Sequence, residues 1–347
     1  MSFLRSEQRR RRRCFIANTD FEARLAGRRP GPLGPPLEWA MLPFVRAGDQ
    51  VVAGADFDGG LLRSLGAPEA TRVERPDPDS LLVPWAQCVD QGYGEAVSAS
   101  AAARCHSKLW SHRLATRYGL GVAGAEVIED LDALADWVAR HGAVASYVLK
   151  PPYSVAGRGT YRGHGDLLDG HGRGFAERHL ARGALIAQPW LDRAGDYSVI
   201  GEVDAQGRLE LWGVTEMLVR GGTYRGSRVG DWDLCGAGLP EEAKERLVRC
   251  ARRVAEALAV EGYVGPFGVD ALLAADGVLV ELLEVNVRMT MGHVAWMLHA
   301  RAGGGGVGEL CRYPEAPPRA LLSLPGSFYF RCAKGRADLT TDSRGSA

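Results

Sequence analysis

Two stretches of the chain carry residue types that could do chemistry together. In the first, the apolar run Val148-Leu149 ends in Lys150, then Pro151-Pro152 and the small-residue segment Ser154-Val-Ala-Gly157-Arg-Gly159-Thr160. A strand that ends in a lysine and opens into a loop with exposed backbone N–H groups suits phosphate, which the compact ammonium neutralises. Alone, this segment reads more readily as a turn after a strand with an exposed lysine. In the second, Asp270 lies in Gly265-Pro-Phe-Gly-Val-Asp270, and Glu284, Asn286 and Arg288 lie in Leu282-Leu-Glu-Val-Asn286-Val-Arg288. A hairpin with Ala275-Asp276-Gly277 as a three-residue loop pairs residue 270 with 282. Strand alternation then puts Asp270, Glu284, Asn286 and Arg288 on one face. Two carboxylates and an amide oxygen are hard donors suited to Mg2+ shared with nucleotide phosphates; an exposed strand face is the plainer alternative.

The elements that position these groups follow from periodicity. Residues 14–18 read as a short buried strand, 37–45 as a helix, 50–55 as a strand and 59–65 as a helix. The prolines at 76, 78 and 84 break the pattern. Ser107 is placed to cap a helix with Trp110, Leu114 and Tyr118 on one side, which stops at Gly119. A second helix follows Asp130. Strands are expected at 146–150, 184–190, 197–203 and 209–219, a long helix after Pro240, and the hairpin at 263–273 and 278–286. Leu185-Ile-Ala-Gln188-Pro-Trp-Leu191-Asp192 followed by Asp196-Tyr-Ser reads as strand, short crossover, strand; by itself it means only a sheet. Gly303–Gly306 reads as a flexible break, and the polar segment after Lys334 as disordered.

Several motifs are rejected. Gly119-Leu-Gly121-Val-Ala-Gly124 matches GxGxxG, but a helix precedes it and an extended segment follows, the reverse of a dinucleotide site. There is no GxxxxGK[ST] and no Gly-x-Ser-x-Gly. His164 and His171 sit in a Gly-rich segment without ligand partners at metal spacing. The 347 residues are 46% hydrophobic and 24% charged, with 42 basic and 42 acidic side chains. Such a chain can bury cores and is neither a disordered solvating chain nor a dedicated nucleic-acid binder. The run Arg9–Arg13 is read as a solvated tail in preference to an RNA or membrane-surface contact. No apolar run reaches the length of a membrane span, and the four apolar residues at 14–17 are too few for a signal sequence. Seven scattered cysteines without a CxxC pair point to reduced thiols and a cytoplasmic protein. Only four basic residues are lysines, at 108, 150, 244 and 334. A GC-rich coding bias explains the scarcity, and a lysine that survives it can mark a place where arginine will not serve.

Taken together, in order and at roughly the right spacing, these features resemble the ATP-grasp superfamily over residues 107–293. The closest branch is that of the carboxylate–amine ligases, D-alanine–D-alanine ligase-like or peptide ligase-like. The acid-bearing pair GPFGVDALLAADG…LLEVNVR is the specific part, and the lysine and glycine loop support it. The resemblance implies an α/β (α+β) fold of two α+β subdomains clasping ATP, after a small α/β pre-ATP-grasp domain. The expected division is a basic disordered tail at 1–13, the first domain at 14–106, a lid subdomain at 107–187, a metal-bearing subdomain at 188–310 and a partly disordered extension at 311–347.

Residue by residue, it implies that Lys108 and Lys150 contact the nucleotide phosphates and that the loop of Ser154, Gly157 and Gly159 closes over the γ-phosphate. Gln188, Pro189, Trp190 and Leu191 match the adenine hinge, and Asp196 the acid on the ribose. Asp270, Glu284 and Asn286 match the metal ligands, and Arg288 the arginine at the acyl phosphate, with Arg225 and Arg228 in a Gly-rich loop as further candidates. The hinge departs from the usual acid-and-lysine start, and Gly268 stands where D-alanine–D-alanine ligase has an arginine, which argues against that dipeptide activity. Thr290 to His293 are expected at the substrate end, His293 as either a general base or a structural polar residue. The implied activity is ATP-dependent formation of an amide or peptide bond from a small-molecule carboxylate and an amine. ATP would act with one or two Mg2+, Mn2+ being able to substitute, in a homo-oligomer, expected as a dimer, with no membrane or nucleic-acid partner. An ATP-grasp phosphotransferase and a non-catalytic ATP-binding regulatory protein are the alternatives.

Overall fold

The computed structural model describes residues 12–27, 37–54, 56–88, 96–141, 146–154, 159–165, 170–236, 238–312, 320–325 and 327–334. Most of the expected basic tail, Gly157 and the segment after 334 lie outside these residues.

Three sheets carry the described chain. The first is parallel, in the order β3-β2-β1-β4, from β1 (Arg13–Ile16), β2 (Gln50–Val52), β3 (Thr71–Val73) and β4 (Leu81–Pro84). The crossovers are α1 (Phe21–Leu25), a 3-10 helix (Glu38–Phe44) and α2 (Gly59–Ser64). The strands β3 and β4 were not expected: Thr71-Arg72-Val73 is largely exposed and carries no apolar run, and the run Leu81-Leu82-Val83 ends in a proline. Pro84 does not break the pattern: it ends the edge strand β4, where a missing N–H interrupts no inner ladder.

Two helices then lead to the site. The first, α3 (Ala96–Cys105), was not expected from the sequence. The second, α4 (Lys108–Tyr118), is capped by Ser107, whose Oγ accepts from the Leu109 N–H at 3.3 Å. It stops at Gly119, left-handed at φ +66°. The second sheet is antiparallel in the order β5-β8-β6-β7, from β5 (Glu126–Ile128), β6 (Ser146–Lys150), β7 (Tyr161–His164) and β8 (Leu185–Pro189). Its core packs Trp137 of α5 (Leu131–His141) and Ala176 of α6 (Gly170–Leu180) onto Tyr147, Leu149 and Leu185. Gly163 lies opposite Tyr147, and a Cβ there would stand 2.1 Å from the tyrosine ring, so only glycine admits that ring.

The third sheet is antiparallel, in the order β13-β12-β9-β10-β11-β14-β16-β15. Its strands are β9 (Arg193–Val203), β10 (Leu209–Arg220), β11 (Thr223–Gly230), β12 (Gly265–Ala274), β13 (Leu279–Asn286), β14 (Val307–Arg312), β15 (Leu322–Leu324) and β16 (Phe328–Ala333). Between β11 and β12 run α7 (Trp232–Cys235) and α8 (Glu241–Val260), and α9 (Met291–Arg301) follows β13. The helix α8 buries Leu247, Cys250, Ala251, Val254 and Leu258, the single stripe that helical spacing gives.

Two expectations change here. Residues 221–228 are not a Gly-rich loop: only the Gly221-Gly222 turn is, and Arg225 and Arg228 lie on β11. Residues 303–306 connect α9 to β14, and Gly306 packs closely on β16, where a Cβ would stand 2.2 Å from the Ala333 carbonyl oxygen. Beyond this connection, β14 and β16 join the main sheet, so part of the expected C-terminal extension is paired structure. All seven cysteines are free thiols, six of them buried. Among the described residues no helix is long and apolar enough to cross a membrane.

Candidate active site

A cleft opens where α4, the second sheet and the β12–β13 hairpin meet. Its lining includes Lys108, His112, Lys150, Ile186, Gln188 and Leu283. The hairpin turn forms as expected: the Ala274 N–H donates to the Val278 carbonyl at 2.9 Å, and Gly277 is left-handed at φ +88°. Near the turn Leu272 pairs with Val280, the register that would set residue 270 opposite 282. A bulge between Asp270 and Leu272 then shifts the ladder, and Asp270 faces Glu284 while Gly268 faces Asn286. A shift of two residues leaves alternation intact, so the acids stay on the expected face and now stand directly opposite each other.

Carboxylates directly opposite on paired strands repel. Burial and then the Glu284 charge push Asp270 up to about 6, against hydrogen bonds donated by Ser198 Oγ at 2.8 Å and Asn286 Nδ2 at 3.0 Å. Lys108 offsets the repulsion with an ion pair from its ammonium to Glu284 Oε1, and it also donates to the Ser154 carbonyl at 3.3 Å. A buried cation in the first turn of a helix works against the helix dipole, and the first turn of α4 holds no acid of its own. That local conflict marks Lys108 as placed for the cleft and not for the helix.

Lys150 ends β6 on the other side of the cleft. Burial brings its ammonium down to about 8, with Lys108 and Arg193 lowering it further and Glu284 and Asp270 opposing. Ser154 is buried and its Oγ has no hydrogen-bond partner; Gly159, at φ +80°, leads into β7. Gln188 and Pro189 are the end of β8, paired with Val148 and Tyr147, and the Trp190 N–H extends the ladder to the Ser146 carbonyl at 2.8 Å. The crossover proper is therefore Trp190 to Asp192, with Leu191 partly buried within it. Asp196 is buried on β9 and ion-paired with Arg193.

The three arginines singled out in the sequence part company. Arg288 lies beside the acids, and its Nη2 stands 3.4 Å from Asn286 Oδ1. Most of its donors are engaged: Nε and Nη2 bond Glu22 Oε1 at 2.9 and 2.6 Å, and Nη1 bonds the Met289 carbonyl at 2.7 Å. Arg228 is not part of the cleft. It pairs across the sheet with Glu216, which faces Tyr197, and Tyr197 alternates with the site-facing Ser198, so Arg228 projects from the opposite face. There it is ion-paired with Glu216 at 3.3 Å and Glu309 at 2.7 Å. Arg225 is exposed on the same strand.

Sequence reasoning missed Glu22 and His106. Glu22 also accepts from His106 Nε2 at 3.0 Å, and His106 Nδ1 accepts from the Val287 N–H at 3.1 Å. Burial would raise the Glu22 carboxyl, but Arg288 and His106 outweigh it and hold the group well below the ordinary range. The first sheet's unit thus grips the strand that carries the acids. No spacing rule could have found this contact, because Glu22 and Arg288 are 266 positions apart. His293 is structural: its Nδ1 takes the Thr290 N–H at 3.1 Å as a helix cap, Nε2 donates to the Gly201 carbonyl at 3.3 Å, and burial takes it down to about 4. His171 lies on α6 and His164 at the end of β7, both exposed.

The donor set fits a hard divalent cation under one condition. Among the described residues no three His, Cys, Asp or Glu side chains cluster as a metal site. Two acids and an amide suit an ion shared with phosphate oxygens and not one caged by protein alone. Asn286 presents its amide nitrogen to Asp270, so a half-turn of that amide is needed to bring Oδ1 to the carboxylates. The unpartnered Ser154 Oγ, beside a carbonyl that already takes Lys108, is a donor suited to an oxyanion.

No protein-family model matches the chain, and no curated protein matches it in sequence. Solved structures do resemble it. Biotin carboxylase from Campylobacter jejuni, in a complex with β-γ-ATP, superposes with a TM-score of 0.64 at 13% identity, covering 97% of this chain and 92% of that one. N5-carboxyaminoimidazole synthetase from Staphylococcus aureus, complexed with ADP, gives 0.60 at 10% identity and 96% of each chain. Phosphoribosylamine–glycine ligase from Thermotoga maritima gives 0.60 at 15% identity, covering 96% and 95%. With this likeness over nearly its whole length, and with two sheets closing on a cleft beside an acid-bearing hairpin, the chain has the ATP-grasp fold.

Proposed function

We propose that the protein is an ATP-dependent carboxylate–amine ligase that joins a small-molecule acid to an amine through an acyl phosphate. The observation that carries this is that Lys108 and Lys150 line one cleft and that Lys108 is ion-paired with Glu284, which stands opposite Asp270 with Asn286 bonded to it. The likeness to structures named as a carboxylase, a synthetase and a ligase, two of them in complexes with ADP or β-γ-ATP, supports it.

In this proposal a carboxylate oxygen of the acid attacks the γ-phosphorus and ADP leaves. The amine nitrogen then attacks the acyl carbon, phosphate leaves, and the amine gives up a proton. The lysines neutralise the phosphate chain, and the cleft keeps water from the acyl phosphate. Asp270, Glu284 and Asn286 would hold Mg2+, which when bound neutralises charge on the phosphate oxygens. Ser154 and Gly159 meet the phosphates, Gln188 to Leu191 offer backbone to adenine, and Asp196 accepts from the ribose. Arg288, aimed by Glu22, would stabilise an oxyanion at the acyl carbon.

The test is ADP release with pooled amino acids and small peptides as acids, with hydroxylamine present to trap an acyl phosphate. A hydroxamate that depends on both ATP and acid is expected, and Glu284→Gln should abolish it. ADP release that requires an added small molecule but gives neither hydroxamate nor amide would instead indicate phosphoryl transfer to a hydroxyl or amine.

A further inference from the structure

Next to the crossover that follows Gln188 lies a cation that neither the lysine pair nor the acid hairpin explains. Arg193 is the first residue of β9, directly after the crossover, and about three-quarters of its side chain is enclosed. One terminal nitrogen pairs with Asp196, and the guanidinium lies 5.3 Å from the centroid of the Trp190 ring, which also carries Arg162 at 4.1 Å. Its Nε is buried and has no hydrogen-bond partner. A guanidinium N–H buried without an acceptor is costly, because the desolvation of a charged donor is not repaid. A second unsatisfied donor, Ser154 Oγ, belongs to the residue whose carbonyl takes the Lys108 ammonium, and the Arg193 charge is felt at Lys150. Asp196, for its part, is buried with Arg193 as its ion-pair partner, so the acid expected to receive a ribose is already engaged.

We propose that Arg193 is shared between Asp196 and the phosphate chain of a nucleoside polyphosphate, so that phosphate draws the guanidinium away and frees Asp196 for the ribose hydroxyls. This rests on the cleft being a nucleotide site, as proposed above. Two recognition events that would otherwise be independent become coupled. Phosphate is bound at the expense of the Arg193–Asp196 pair, and the ribose is read only once that pair has opened. A nucleoside without phosphates meets a masked acid and is discriminated against, while a diphosphate or triphosphate unmasks it.

The test is calorimetric binding of ATP, ADP, adenosine and inorganic tripolyphosphate to the full chain and to two variants that should move in opposite directions. Arg193→Met is expected to weaken ADP and tripolyphosphate by about tenfold or more, the scale of one charge-assisted hydrogen bond, while adenosine binds as well or better. Asp196→Asn is expected to tighten tripolyphosphate, because its competitor for Arg193 is gone, and to leave adenosine, which meets the masked acid in the unaltered chain, little changed. Equal losses for all ligands in Arg193→Met, or tripolyphosphate affinity unchanged in both variants, would overturn the inference while leaving the ATP site in place. Failure of the unaltered chain to bind ATP or ADP at all would overturn the proposed function and this inference with it.

Discussion

Nucleotide binding should take up a proton, and the amount should rise with pH in a way that Lys150 sets. An ordinary lysine titrates near 10.4, whereas burial brings Lys150 to about 8. At pH 9 most of the Lys150 side chains are therefore neutral, yet a polyphosphate beside them favours the ammonium and restores the ordinary value. The uptake is the difference between the two protonation curves: about 0.1 proton per nucleotide at pH 7, about 0.5 at pH 8 and about 0.9 at pH 9. At pH 8 and 9 Lys150 sets the uptake: Asp270, at about 6, is ionised there, the thiols of Cys14 and Cys105 are pushed up by burial to about 11 and 12, and Glu202, raised by burial to about 8, lies at the far end of β9 from the crossover. Titration calorimetry with ADP, without metal, in buffers of different ionisation enthalpy reads the proton count as the slope of the apparent enthalpy. Lys150→Arg should abolish the slope because arginine stays protonated. A slope near zero at pH 9 in the unaltered protein, or an unchanged slope in Lys150→Arg, would refute the placement of Lys150 at the phosphates.

Three further outcomes are expected. Lys150→Arg should also impair ATP use although the charge is kept, because a planar guanidinium does not replace a compact ammonium in an enclosed site; a fully active variant would return the scarcity of lysine to codon usage. Glu22→Gln should cost about 3–5 kcal/mol in chemical denaturation, the scale for breaking a buried pair, because Arg288 is left enclosed without its anion. The folded carboxyl of Glu22 is depressed, so its contribution is complete above the ordinary glutamate range and is lost as pH falls below about 4. The variant should therefore lose less stability than the unaltered protein between pH 5 and 3, and parallel losses would remove Glu22 from the ion pair. Gly163→Ala should destabilise by about 1–3 kcal/mol, since the new Cβ must displace the buried Tyr147 ring, and denaturation melts of the two proteins would measure it.

The parts of this protein written within a few residues were legible in the sequence. Ser107 and Gly119 bound α4 as their chemistry dictates, Ala275-Asp276-Gly277 closes the hairpin, and alternation puts Asp270, Glu284 and Asn286 on one face. The bulge that brings Asp270 opposite Glu284 left that face unchanged, which is why the acid set could be read without it. The strands β3 and β4 were not legible, one having no apolar run and the other ending in a proline. Nor was Arg228, whose nearness to glycines suggested a loop at the site; its face is fixed by the partner strands β10 and β14, not by its neighbours in sequence. The pairs that set the electrostatics of the cleft lie beyond any local rule. Lys108 and Glu284 are 176 positions apart, and Glu22 and Arg288 are 266 apart. Caps, turns and alternation are local consequences of backbone geometry, so sequence alone determined which side chains share a face. Which charges neutralise one another depends on how separate sheets pack, and only the tertiary structure decided that Lys108 guards the acids and that Glu22 aims Arg288.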